Sequence, residues 1–159
     1  MRRSILFAAV SVAACSDSPV GAGSAALCAT NEGVEVCVAS ATYRQSDVVE
    51  VAIRNGGGET RYVDWCSLKV VGKTSRSVPF PEDYAPQARC GSNWTPADVI
   101  ANRIELPPGG SIQESPQISS FAFQGFYRVN VWLVDENGDR IGTKPVFSGT
   151  FTVFPSAGA

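Results

Sequence analysis

Histidine is absent from all 159 residues, which removes the commonest general base, the serine-histidine and cysteine-histidine nucleophile pairs, and most zinc sites. Excess charge is absent too. The 13 basic and 15 acidic residues leave a net charge of −2 with no basic stripe of the kind that neutralises phosphates, so nucleic acid is not an expected partner. No apolar run reaches the roughly 20 residues a helix needs to cross a bilayer. No window sustains a helical period over three turns, and no two cysteines stand two to four residues apart as structural zinc sites require. What remains is a chain long enough for one domain with a single core.

The amino terminus reads Met1-Arg2-Arg3-Ser4, then an apolar stretch from Ile5 to Ala14 that is too short to span a membrane and fits the hydrophobic region of an export leader. It ends Val12-Ala13-Ala14-Cys15. That sequence resembles the bacterial lipobox, in which a branched aliphatic and two small residues precede a cysteine that is acylated and becomes the first residue of the mature protein. The alternative is an ordinary secretory leader with an incidental cysteine. Lipidation is favoured by Ser16 to Ala26, small or polar apart from Val20, which forms a flexible tether of about 17–20 Å reach. The resemblance implies a lipid anchor on Cys15 in the bacterial cell envelope, with the membrane as a partner. By the same sorting pattern, Ser16 points to the outer membrane where the cell has one. Residues 1–14 are then leader, 15–26 lipidated cysteine and linker, 27–155 the folded domain and 156–159 a tail.

Four cysteines remain, an even number in an exported chain, and two disulfides are expected. Cys28 and Cys37 flank the turn signal Asn31-Glu32-Gly33 and so belong on facing arms of a hairpin, which leaves Cys66 with Cys90.

Alternation marks strands. Val49, Val51 and Ile53 share one face between Val48 and Arg54, and Thr60–Cys66 and Ser67–Val71 read as further extended segments. From Gly72 to Pro96 four prolines and scattered aromatics predict a long irregular loop. Val99–Leu106 and Ser111–Gln117 are predicted strands on either side of the Pro107-Pro108-Gly109-Gly110 turn. The strongest hairpin runs from Phe126 to Asp135, with Tyr127, Val129, Val131 and Leu133 on one face and Arg128, Asn130 and Trp132 on the other. After Glu136-Asn137-Gly138-Asp139 it returns through Val146–Phe154, with Phe147, Phe151 and Val153 inward. Short strands with Gly/Pro turns predict an all-β, two-sheet antiparallel sandwich of about seven strands.

The order of four landmarks is similar to Ig-like domains of bacterial lipoproteins and, more distantly, to the bacterial intracellular proteinase inhibitor family. They are the Val49-to-Asn55 strand and turn, Cys66 and Cys90 around a variable segment, Leu106-Pro107-Pro108-Gly109-Gly110-Ser111, and Gly125-Phe126-Tyr127-Arg128-Val129. The resemblance implies an Ig-like fold with Tyr127 anchoring the penultimate strand. It implies no antibody-type disulfide, because Val129 stands where that cysteine would be, and no inhibitory residue carries over.

Candidate chemistry is thin. Asp135, Asn137 and Asp139 alternate as calcium-loop ligands do, but Arg140 replaces the sixth-position glycine and Val146 the twelfth-position glutamate, so a hairpin turn is the better reading. Glu82-Asp83 lacks a second acid across a cleft. Trp65 is expected to be buried, while Trp132 falls on the polar face of its strand. No cofactor is expected. The expected function is a non-enzymatic, membrane-tethered binding or structural module for an envelope protein, with the alternative of a protease inhibitor presenting residues 72–96. In either case Phe80, Tyr84 and Trp94 are the candidate contacts. The competing reading is that these aromatics fold back to cover one end of the core.

Overall fold

Glu32 and Gly33 both have positive φ, 52° and 77°, the backbone of a type I′ turn whose twist matches that of the strands it joins. It connects β1 (Leu27–Asn31) to β2 (Val34–Val38) in an antiparallel hairpin with Cys28 opposite Cys37. The computed structural model describes residues 26–80, 95–120 and 122–156 of the chain.

The hairpin opens a four-stranded antiparallel sheet ordered β1-β2-β4-β7, where β4 is Val51–Asn55 and β7 is Ser111–Glu114. The second sheet is ordered β3-β10-β8-β5-β6, with β9 also paired to β8. Its strands are β3 (Thr42–Arg44), β5 (Arg61–Lys73), β6 (Arg103–Leu106), β8 (Gly125–Val134), β9 (Val146–Phe147) and β10 (Phe151–Phe154). Alternation puts Val34, Val36, Val38, Val51 and Ile53 of the first sheet against Val63, Leu106, Val129, Val131, Leu133, Phe151 and Val153 of the second. An all-β sandwich is the result.

Several details depart from the sequence reading. Ten strands form among the described residues against about seven expected: the return from β8 breaks into β9 and β10, and the short β3, absent from the sequence reading, joins a sheet edge. β3 pairs parallel to β10, so the second sheet is mixed. Val99–Asn102 belongs to a helix, α1 (Pro96–Asn102), and only Arg103–Leu106 is strand. The helix starts at a capping arrangement: Pro96 occupies its first turn, and the Asp98 carboxylate accepts the Thr95 backbone N–H at 2.6 Å and its hydroxyl at 2.9 Å.

Phe147 is the clearest reversal, since it pairs with Asn130 on the outer face and Val146 takes the core position opposite Val131. Three residues, 148–150, oppose two, 128–129, on β8, and one extra residue inverts the side-chain parity. A larger irregularity interrupts β5, where residues 65–68 oppose Val131 alone. Each break costs β8 a ladder partner, and in each a serine hydroxyl replaces it. Ser148 Oγ accepts the Val129 N–H at 3.0 Å, and Ser67 Oγ accepts the Trp132 N–H at 2.8 Å while donating to the Asp64 carbonyl.

Candidate functional site

The residues named from the sequence fall in three places. Cys15, Tyr84, Cys90 and Trp94 lie outside the described residues. Cys28 and Cys37 form a disulfide on the outer face of the first sheet, one residue in from the start of β1. Cys66 is buried in the β5 irregularity, disulfide-bonded, with its N–H on the Asp64 carboxylate at 3.0 Å.

Phe80 is described, and it does not project. It lies against the outer face of the second sheet, where Lys73 and Arg128 each sit 4.5 Å from its ring centre. Arg128, a residue only 8% exposed, also lies 4.2 Å over Phe147, so its guanidinium is held between two rings. The same face continues the pattern: Arg76 over Phe126, Arg140 over Trp132 and Arg103 over Tyr62. Because Asp64, Asn130 and Trp132 are all buried, this face is covered, although alternation alone assigns it to solvent.

The open concave feature lies on the side of the sandwich. From Lys69 onward β5 pairs with β8 alone among the described residues, and β7 pairs with β4 alone. Between this part of β5 and the segment that follows β7 runs a groove of about 570 Å³, with Leu68 and Val70 on one wall, Pro116 and Ile118 on the other, and Phe123 and Tyr127 completing it. Phe123 is 44% exposed and stacks at 5.4 Å on Tyr127, whose hydroxyl donates to the Phe123 carbonyl at 2.8 Å. The sandwich is tied beside this opening by Trp65, half-buried, whose Nε1 donates to the Glu114 carboxylate across the sheets at 2.8 Å. The sequence reading missed this groove because neither 118–120 nor 122–123 belongs to a strand. Its signal was an apolar cluster directly after a proline break.

Titratable groups serve the backbone. The carboxyl of Asp98 is held below its ordinary value by the Thr95 backbone N–H and hydroxyl, and that of Asp135 chiefly by the N–H of Asp139, with the N–H of Asn137 adding to it. Those bonds make Asp135 the organiser of the hairpin turn, with Gly138 at φ 83°. Burial raises the phenols of Tyr43 and Tyr127. Cys28, Glu35 and Cys37 place a metal-type donor set together, with both sulfurs taken up in the disulfide.

The chain matches no family model, and no curated protein matches it. Fold and surface define its class: a disulfide-stapled β-sandwich with a lateral apolar groove between β5 and the segment that follows β7.

Proposed function

We propose that the protein is a non-enzymatic binding module of the bacterial cell envelope, Ig-like in fold and tethered by lipid on Cys15, that takes an extended segment of an envelope protein into its lateral groove. The groove carries this reading, because an open apolar recess beside the outermost strand of a sheet is the shape that receives the side chains of an extended segment. The disulfide supports an oxidising compartment. A photo-crosslinking residue at position 123 should yield one discrete protein adduct in intact cells, and the same probe at exposed Thr30 none. Equal labelling from both positions, or none from 123, contradicts it.

A second reading, protease inhibition by residues 72–96, draws on the fixed flanks of that stretch: Phe80 is held by Lys73 and Arg128, and Thr95 by Asp98. It requires slow, tight inhibition of at least one enzyme in a panel of serine, cysteine and metalloproteases. A clean panel ends it.

A further inference from the structure

Charge is divided between the two sheets. The first sheet and its turns hold Glu32, Glu35, Glu50 and Glu114 against Arg54 alone. In the second sheet, β3, β8, β9, β10 and β5 from Cys66 onward contain no aspartate or glutamate, and neither does the 74–80 turn. At one end of that sheet's outer face Thr42, Thr152, Phe126 and Lys73 form a cross-strand row over four strands. Lys73, Arg76, Phe126, Thr150 and Thr152 line a groove of about 290 Å³ there. Neither cation is ion-paired among the described residues: Lys73 Nζ donates to the Arg76 carbonyl at 3.1 Å, and the Arg76 guanidinium lies 5.2 Å over Phe126. Two exposed apolar side chains adjoin the groove in sequence, Val78 two residues past Arg76 and Phe154 two past Thr152, at 45% and 39% exposure.

The linker joins the fold at this same corner. Gly149, immediately before Thr150, donates its N–H to the Leu27 carbonyl at 3.2 Å, and a Cβ added at Gly149 would stand 2.8 Å from that of Leu27. We infer that this groove docks on the membrane surface, with Lys73, Arg76 and the two threonine hydroxyls receiving the phosphate of an anionic lipid headgroup while Val78 and Phe154 enter the interface. The inference rests on the lipid-tether reading for its physiological setting. A 12-residue linker keeps the groove within about 20 Å of the bilayer, so headgroups are present at an effective concentration in the millimolar range, and weak affinity per headgroup suffices. Cations beside exposed aromatic and aliphatic groups are the composition that anionic interfaces select.

The test uses residues 15–159, the mature chain of the lipid-tether reading, with Cys15→Ser so that it carries neither the apolar leader nor an acyl chain, and measures its partition onto vesicles. Binding should be at least tenfold stronger to phosphatidylglycerol-containing vesicles than to pure phosphatidylcholine, and should weaken in 0.5 M salt. Lys73→Gln with Arg76→Gln should lower the partition about 10- to 30-fold, roughly fivefold per charge, while Arg54→Gln on the opposite sheet leaves it unchanged. Equal partition onto both vesicle types, salt-independent binding, or an equal loss from Arg54→Gln overturns the inference. So does competition by millimolar inorganic phosphate, which would mark a site for the free anion. Palmitate labelling of the unaltered chain reports separately on the tether, so either claim can fail alone.

Discussion

Two serines decide how β8 tolerates irregularities on both flanks. Ser67 and Ser148 each present a hydroxyl to a buried N–H that the ladder no longer reaches, at Trp132 and Val129. Removing the hydroxyl strands that donor in the protein interior, so Ser67→Ala and Ser148→Ala should each lower stability by about 1–3 kcal/mol, read as a lower urea midpoint at unchanged slope. Loss of less than a few tenths would mean that the strand recovers its ladder by slipping register. The carboxylates of Asp98 and Asp135 make a different prediction. Their folded values lie below the unfolded ones, so they stabilise the fold at neutral pH, and that contribution is lost as pH falls through the depressed values. The urea midpoint should hold from pH 7 to 5 and fall below about pH 4, with a shallower fall in Asp135→Asn.

At the scale of elements, the β1–β2 hairpin carries the most testable arrangement. Its disulfide lies on the outer face of an edge hairpin, with Cys28 exposed, so a dithiol reductant should reach it before the buried Cys66. Opening its ten-residue loop should cost about 2.7 kcal/mol in the chain-entropy model, on the order of ten degrees in Tm for a domain of this size. A melting curve unchanged by selective reduction would show that β2 and β4 hold the edge unaided. This hairpin, residues 27–38, was legible because the Asn31-Glu32-Gly33 turn signal lies between its two cysteines, a pattern contained within twelve residues. The strands of Val51–Asn55 and Gly125–Val134 were legible from their alternation, which is equally local. What escaped were features set by partners far along the chain: the inverted Phe147, the 65–68 irregularity, and the parallel pairing of β3 with β10. Helix α1 is shorter than the period needed to show it, although Thr95, Pro96 and Asp98 spelled its start. Of the candidate contacts, Phe80 lies against the second sheet, under Arg128 and Lys73, where a loop pattern alone does not place it. The groove at Phe123 depends on β5 meeting the segment after β7, about fifty residues away in sequence, which no local pattern encodes.

For the whole molecule, the division of charge, the position of Leu27 beside Gly149 and the lateral groove describe one orientation. The acid-free end of the second sheet lies at the corner where Gly149 meets Leu27, and the lateral groove opens between β5 and the segment after β7. In the proposed account, Cys15 anchors the chain to the membrane. Metabolic labelling with palmitate tests that directly: the unaltered protein should incorporate label into the membrane fraction, and Cys15→Ala should incorporate none and be either uncut or released. A Cys15→Ala protein that still carries palmitate, or an unaltered protein that never does, would contradict the account.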